Sequence, residues 1–175
     1  MSELKILDLP AFSDVRGSFV KTFNNTNLLS HGITFSVQES YYSVSAKDVI
    51  RGMHFQLPPY DHAKIVFCAS GAILDVALDL RMDSPTYGQT FSQLLSSENN
   101  KAFYIPHGFA HGFKALTEGA VTYYLVSGEY HQASDTGIAF DSIGFDWECK
   151  NPILSVRDTG FVSLKDFESP FLLGE

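Results

Sequence analysis

The stretch Leu74-Asp75-Val76-Ala77-Leu78-Asp79-Leu80 sets the fold class of this 175-residue chain. Side chains of a β-strand point alternately to its two faces, so positions 75, 77 and 79 share one face and the even positions share the other. One face is then apolar, and the other carries two carboxylates. The alternation predicts a β-strand in the middle of the chain.

Two further runs have the composition of strands. Residues 65–68 and 120–126 are rich in β-branched and aromatic side chains, and four glycines mark turns near such runs: Gly71, Gly88, Gly119 and Gly128. Short apolar runs separated by turn residues at even spacing are typical of an all-β sandwich or barrel. A barrel or double-sheet jelly roll covers its own strand edges, and we predict one such domain over residues 1–175.

Helices are expected only at the periphery. The stretch 24–29 is amphipathic, with Asn24 or Asn25 as the N-cap and Gly32 as the residue that ends the helix. After Trp147, prolines and scattered charges predict loops, with one helical turn near residues 163–167.

Composition excludes several classes of protein. The chain is 45% hydrophobic with a net charge of −8, which argues against a disordered chain and against a nucleic-acid binder. No stretch approaches the roughly 18 apolar residues that span a bilayer. The two cysteines, Cys68 and Cys149, suggest neither a disulfide framework nor a cysteine-based zinc site. We therefore expect a soluble protein of a reducing compartment, the cytoplasm.

The segment Val49-Ile50-Arg51-Gly52-Met53-His54-Phe55-Gln56 contains the first candidate for chemistry. Alternation puts His54 and Gln56 on one strand face and Arg51 on the other. A lone histidine of this kind is more often a surface or hydrogen-bonded core group than a functional one. Lys64 begins an apolar run and is either a snorkelling side chain or a pocket cation.

A second candidate segment, residues 104–113, contains two histidines. His107 and His111 share one face if this segment is extended, which is suggestive of a metal site. The cupin-type metal motif, however, needs two histidines two residues apart, and Gln56 stands where the partner of His54 would be. We predict no bound metal.

The strand predicted at 120–126 has Thr122 and Tyr124 on one face and Tyr123 on the other. Core packing is the default role of barrel tyrosines, although a pocket tyrosine can also donate a proton. The sequence has no Gly-X-Ser-X-Gly motif, phosphate-binding loop or dinucleotide fingerprint, so serine-nucleophile and ATP-dependent chemistries lack support.

Five sequence blocks, taken together, resemble a known family. They are Asp14 to Gly17, Ile50 to Gln56, Asp75 to Arg81, Ser84 to Gly88, and Ile105 to Phe113. In this order and spacing they resemble the dTDP-4-dehydrorhamnose 3,5-epimerase family over about residues 10 to 158. The resemblance implies a double-stranded β-helix, or cupin-like jelly roll. It further implies a homodimer that uses no metal or other cofactor and acts on a nucleotide-linked 4-keto-6-deoxy sugar.

The resemblance also implies roles for five residues. His54 is the base that removes the hydrogen beside the C4 ketone, and Asp158 orients and charge-balances it. Lys64 and His111 stabilise the enolate oxygen. Tyr124 returns a proton on the opposite face of the ring, so that epimerisation at C3, at C5 or at both is the implied reaction.

Further positions are implied to bind the substrate. Arg16 and Arg51 match arginines that contact the diphosphate, and guanidinium geometry suits bidentate phosphate binding. Tyr130 matches a further pocket tyrosine, and Gln56 closes the block that contains the base.

Two departures from the family pattern fall where the nucleotide should bind. Lys21 stands at a glutamate position, and Ser40 stands at an amide position beside Gln38. A GDP- or CDP-linked sugar, including a heptose, is therefore an alternative to a dTDP-sugar. Inversion at C3 alone, a ketoisomerase and a non-catalytic cupin-like sugar-binding module are further alternatives.

Overall fold

The computed structural model describes residues 3–173, and the outermost residues of the domain predicted over 1–175 lie outside this range. In chain order the strands and the α-helix are β1 (Lys5–Asp8), β2 (Ala11–Asp14), β3 (Gly17–Val20), α1 (Asn25–Ser30), β4 (Glu39–Ser45), β5 (Ile50–Gln56), β6 (Lys64–Ser70), β7 (Ala72–Asp79), β8 (Thr90–Ser96), β9 (Lys101–Ile105), β10 (Phe109–Ala115), β11 (Ala120–Val126) and β12 (Asp135–Gly137). Short 3₁₀ turns follow at Phe140–Ser142, Asp158–Gly160 and Leu164–Asp166. The three strands and the helical turn predicted most directly from the sequence are confirmed.

Two antiparallel five-stranded sheets form the body of the fold. The first has the strand order β1-β9-β6-β11-β4, and the second has the order β12-β5-β10-β7-β8. Strands β2 and β3 form a separate hairpin. The prediction of an all-β, double-sheet jelly roll with short peripheral helices is confirmed. The helices among residues 3–173 are too short or too polar to span a bilayer.

Strand β7 is buried on both faces, because the first sheet covers one face and the C-terminal segment covers the other. Ala77 belongs to a core shared with residues of the first sheet. Val76 and Leu78 pack with Trp147 and Phe171 from the C-terminal segment. The structure therefore buries both faces of β7, including the face that carries the two carboxylates, whereas alternation predicts only one apolar face.

The carboxylate of Asp79 organises the turn that follows β7. Its Oδ2 accepts hydrogen bonds from the hydroxyls of Ser84 and Thr86, at 2.7 and 2.6 Å. The same carboxylate pairs with Arg81, whose Nη2 lies 2.7 Å from Oδ2. The sequence block Ser84 to Gly88 therefore has a structural role at this turn.

Helix α1 covers the outer face of the first sheet. The side chain of Asn24 accepts a hydrogen bond from the Asn27 backbone N–H at 3.0 Å, which confirms the predicted N-cap. Leu28 is buried against that sheet. Gly32 follows the helix with a φ of +71°, a left-handed conformation that favours glycine.

Strand β5 breaks the expected alternation. His54 lies opposite His111 of β10, whereas Arg51 lies opposite Phe113, so three steps along β5 face two along β10. This bulge turns Arg51 and His54 into the same pocket. The prediction that they occupy opposite faces is therefore wrong.

Glycine makes this bulge possible. Gly52 has a φ of +140°, and a Cβ on it would stand 2.5 Å from the Cα of Gly112. The two backbones can approach this closely only because neither residue carries a side chain.

Candidate active site

A cavity of about 300 Å³ opens between the two sheets. The first sheet contributes side chains from β4, β6 and β11, and the second contributes side chains from β5, β10 and β12. Seven of the predicted site residues line it: Arg51, His54, Gln56, Lys64, His111, Tyr124 and Tyr130. The structure thus gathers residues that are far apart in the sequence.

Asp158 stands directly behind His54. The His54 Nε2 donates to Asp158 Oδ1 at 2.9 Å, and the Gly52 backbone N–H donates to Oδ2 at 3.2 Å. Burial opposes ionisation of Asp158, but these hydrogen bonds and the charge on His54 prevail and lower its pKa below that of an ordinary aspartate. A carboxylate that accepts from Nε2 leaves Nδ1 as the acceptor atom of the ring.

The segment that carries Asp158 is itself held in place. The Asp158 backbone N–H donates to Ser155 Oγ at 3.0 Å. The ring of Phe161 meets the His54 ring edge-on, with 5.6 Å between centroids. His54 is therefore oriented from two sides by residues of the C-terminal segment.

A second pair of a histidine and a carboxyl group lies deeper in the pocket. His111 Nε2 is 2.7 Å from Oδ1 of Asp75, and both side chains are buried. Burial raises the pKa of Asp75 and lowers the pKa of His111. Both shifts favour a neutral carboxyl group beside a neutral imidazole.

Asp75 is a site residue that sequence reasoning missed. The alternation of residues 74–80 had already placed it on the carboxylate-bearing face. The alternation does not predict that β7 pairs with β10. In that pairing His111 lies opposite Ala77. Only that pairing brings His111 within reach of Asp75.

Lys64 is buried in the wall of the pocket, with 8% of its surface exposed. Its Nζ donates to the backbone carbonyl of His54 at 3.4 Å. Burial lowers the pKa of Lys64 to about 8, although the charge of Asp135 opposes this shift. A cation at this depth can meet negative charge that forms on a bound ligand.

Tyr124 faces the same pocket from the first sheet, whereas His54 belongs to the second. Its ring stacks on Tyr41, with 4.7 Å between centroids, and meets the His111 ring edge-on at 6.0 Å. Burial raises the pKa of Tyr124. The hydroxyl therefore keeps its proton at neutral pH.

Gln56 uses its amide to hold the neighbouring loops. Its Nε2 donates to the carbonyls of Tyr60 and Glu129, at 2.7 and 3.1 Å, and its Oε1 accepts from the His131 N–H at 2.6 Å. The predicted substrate-binding residue lines the pocket, but backbone groups occupy both ends of its amide. Its geometry is that of a clamp between two loops.

Arg51 and Tyr130 lie at the mouth of the pocket. The guanidinium of Arg51 donates to Ser45 Oγ at 3.1 Å. Tyr130 is 61% exposed, and its backbone N–H donates to Glu39 at 3.0 Å. The open end of the cavity therefore carries a cation and an aromatic ring.

The structure does not bring four predicted binding residues into this pocket. Arg16 lies in the tight turn of the β2–β3 hairpin and pairs with Asp14, with 3.0 Å between Nε and Oδ2. Lys21 follows the hairpin and is exposed, and Gln38, also exposed, donates its amide to Ser36 at 3.1 Å. Ser40 lies between Glu39 and Tyr41, which line the pocket, so alternation turns it to the other face of β4.

His107 does not share a strand with His111. It lies in the turn between β9 and β10, where its Nδ1 is 3.0 Å from Asp61 Oδ2. Within residues 3–173 no three His, Cys, Asp or Glu side chains are grouped so that they could hold a metal ion.

Comparisons with known proteins place the chain among epimerases. The family described as dTDP-4-dehydrorhamnose 3,5-epimerase matches residues 1–166. The dTDP-4-dehydrorhamnose 3,5-epimerase of Escherichia coli (strain K12) is 37% identical over 172 residues, which cover 95% of this chain and 92% of the relative.

Two solved structures extend this comparison. One is a dTDP-6-deoxy-D-glucose-3,5-epimerase from Legionella pneumophila Philadelphia 1, in complex with dTDP-4-keto-L-rhamnose. It has a TM-score of 0.92 and 33% identity, and covers 97% of this chain and 94% of its own. The other is a 3'-monoepimerase from Streptomyces bikiniensis in complex with dTDP-quinovose. It has a TM-score of 0.86 and 30% identity, and covers 93% of this chain and 84% of its own.

The pKa of Lys64 predicts a dependence of stability on pH. The folded chain releases the lysine proton near pH 8, whereas the unfolded chain keeps it to about pH 10.4. The unfolded state binds more protons between these values, so the wild type gains stability relative to Lys64→Met as the pH rises. Between pH 7 and pH 9.5 we expect a relative gain of about 2 kcal/mol in the free energy of unfolding, measured by urea denaturation.

Substitution of the exposed Lys165 by Met is the matched control for this measurement. A stability difference between Lys64→Met and wild type that stays constant over this pH range would show that burial does not lower the pKa of Lys64.

Proposed function

Because this chain belongs to the dTDP-4-dehydrorhamnose 3,5-epimerase family, we propose that the pocket around His54 is the site of epimerisation and that its side chains divide the roles of base, acid and enolate stabiliser. The chain is an isomerase that epimerises a nucleotide-linked 4-keto-6-deoxy sugar. One observation carries the assignment of roles: His54 and Tyr124 face one cavity from opposite sheets. Inversion requires a base on one side of the sugar ring and an acid on the other.

His54 acts as the base. A hydrogen on the carbon beside the C4 ketone is acidic, and the Nδ1 of His54 is the ring atom that can accept it. Asp158 accepts from Nε2 at 2.9 Å, so the carboxylate stabilises the imidazolium that forms.

Lys64 and His111 stabilise the enolate. Removal of the proton leaves negative charge on the C4 oxygen, and each well-placed donor lowers such a barrier by roughly 3 to 4 kcal/mol. The ammonium of Lys64 is one donor. The neutral carboxyl group of Asp75 donates a hydrogen bond to Nε2 of His111, so the Nδ1–H of His111 is the other donor. Asp75 thereby positions His111 and selects its tautomer.

Tyr124 acts as the acid. Its hydroxyl remains protonated in the buried site and is carried by the sheet opposite His54. Proton transfer from Tyr124 to the enolate carbon gives the inverted centre. A positioned acid or base of this kind contributes about 10²- to 10⁴-fold to the rate.

Turnover in D₂O tests these roles. With a dTDP-4-keto-6-deoxyglucose substrate, we expect the wild type to invert the sugar and to incorporate solvent deuterium. Tyr124→Phe should still exchange hydrogen, because His54 can return a solvent deuteron to the same face, but inversion should fall at least about 100-fold. His54→Ala should lose both reactions. Mass spectrometry and NMR of the product measure exchange and inversion separately.

Loss of exchange in Tyr124→Phe together with normal exchange in His54→Ala would reverse the assignment of base and acid. The same experiment counts the inverted centres. We propose inversion at both C3 and C5, as named for the Escherichia coli relative. Inversion at C3 alone is the second candidate, because the chain is also similar to a 3'-monoepimerase structure. Inversion at both C3 and C5, read from the NMR spectrum of the product, indicates a double epimerase, and incorporation of only one deuterium atom excludes it.

We propose dTDP as the carrier, because the printed names of the relatives specify dTDP-sugars and Arg51 stands at the mouth of the pocket for the diphosphate. Lys21 and Ser40 are the sequence features that favour GDP or CDP instead. Calorimetric titration with dTDP, GDP and CDP should show the tightest binding for dTDP. A clear preference for GDP or CDP would contradict the proposed carrier and leave the chemistry at His54 unchanged.

We further propose that the protein works as a homodimer in which the β2–β3 hairpin completes the partner's pocket. The hairpin exposes Phe12 and Phe19, whose rings contact each other at 6.5 Å between centroids. Exposed apolar surface of this kind favours an interface. Arg16 lies on this hairpin, outside the pocket of its own chain, so a second copy is the natural source of the diphosphate-binding arginine.

The free thiols of Cys68 and Cys149 support a cytoplasmic location for this single-domain enzyme.

Mixing two inactive variants tests the shared site. His54→Ala lacks the base, and Arg16→Ala lacks the proposed diphosphate contact. Refolded together in equal amounts, they should recover about one quarter of the wild-type activity, because half of the dimers are mixed and each of these has one complete site. Light scattering reports the oligomeric state. Dimers that show no recovery would place Arg16 in the site of its own chain, and full activity of Arg16→Ala alone would place it outside any site.

A further inference from the structure

We propose that Asp135 and Arg157 recognise the hydroxyl on C2 of the sugar and thereby restrict which nucleotide sugars the pocket accepts. The inference rests on the proposed function and concerns a part of the substrate that does not react. Neither residue has a role in the proton transfers assigned to His54 and Tyr124. Both residues nevertheless line the cavity.

The two side chains form an ion pair at the cavity wall. Arg157 Nη2 lies 2.8 Å from Asp135 Oδ2, and the two side chains are 47% and 17% exposed. The pair joins β12 to the C-terminal segment that carries Asp158. Its charges are therefore held where they face a ligand.

Packing fixes this ion pair relative to the base. Asp135 lies opposite Gln56 in the pairing of β12 with β5, the strand that carries His54. The guanidinium of Arg157 stands over the Phe161 ring, with 5.3 Å from Cζ to the ring centroid. Phe161 in turn contacts His54. A substrate group at the ion pair is thus placed at a defined position relative to the atom that removes the proton.

The depth of each group shows which part of the sugar the pair meets. Lys64 and His111 are 8% and 4% exposed, at the closed end where the C4 oxygen belongs. Arg51 and Arg157 are exposed at the open end, where C1 and the diphosphate leave the pocket. Asp135 is more exposed than Lys64 and less exposed than Arg157, so it faces the carbons between C1 and C4.

Only one hydroxyl of the substrate fits this position without lying on a reacting carbon. In a 4-keto-6-deoxy hexose linked through C1, the remaining hydroxyls are on C2 and C3, and C3 is a centre of the reaction. A hydroxyl both donates and accepts, so it can donate to the carboxylate of Asp135 and accept from Arg157. A guanidinium has five N–H donors, so contact with Asp135 does not exhaust Arg157.

The test combines two changes, one in the protein and one in the substrate. Asp135→Asn, Arg157→Lys and Arg157→Ala are assayed with the normal nucleotide sugar and with its 2-deoxy analogue. With the normal substrate, we expect kcat/KM to fall about 10- to 100-fold for Asp135→Asn and Arg157→Ala, mainly through KM. Arg157→Lys should recover part of this loss. With the 2-deoxy analogue, the same variants should lose less than about threefold, because the wild type already lacks the contact.

Equal losses with both substrates would overturn the inference. They would show that Asp135 acts through Lys64, or Arg157 through Asp158, and that neither contacts the hydroxyl. Asp8→Asn is the matched control, since Asp8 forms an ion pair with Lys101 at 2.9 Å on the strand pair β1–β9, away from the cavity. Deuterium exchange by the wild type with the normal substrate is measured in parallel. If the wild type exchanges hydrogen but the variants lose the same kcat/KM with both substrates, the inference fails while the proposed function stands.

Discussion

The backbones of β5 and β10 meet at Gly52 and Gly112, and the geometry of the pocket depends on this contact. A side chain at either position would collide with the facing strand. The bulge that results turns Arg51 toward the cavity beside His54 and points the Gly52 N–H at Asp158. The positions of His54, of its partner Asp158 and of Arg51 at the mouth therefore all depend on the close approach of β5 and β10.

Burial of charge is the second constraint on this site. Two of the buried carboxyl groups have a histidine partner: Asp158 lies against His54, and Asp75 lies against His111. Within residues 3–173, no ion pair includes Lys64. Burial without a charged partner in contact disfavours the ammonium form, and the pKa of Lys64 is therefore lowered. The two-sheet architecture completes the arrangement, because it places His54 and Tyr124 on opposite walls of the cavity.

Local sequence patterns predicted much of the fold. Alternation and β-branched runs located β6, β7 and β11, and the cap at Asn24 located α1, because these signals arise within a few residues. His54 alone did not stand out as a base. The ordered family blocks assigned it that role, and the structure then placed Asp158 behind it. Gln56 was expected to bind substrate, yet its amide holds two loops, a use that depends on chain segments remote in sequence.

The sequence by itself determined the all-β class, the family and the residue types available for proton transfer. Only the tertiary structure decided which of those residues meet. Gly52 and Asp158 are 106 positions apart, and no local pattern encodes their contact. Asp75, Asp135 and Arg157 became site residues only through strand pairing and packing. The physical reason is that alternation sets the face of a side chain within one strand, whereas bulges and registers depend on how distant strands fit together.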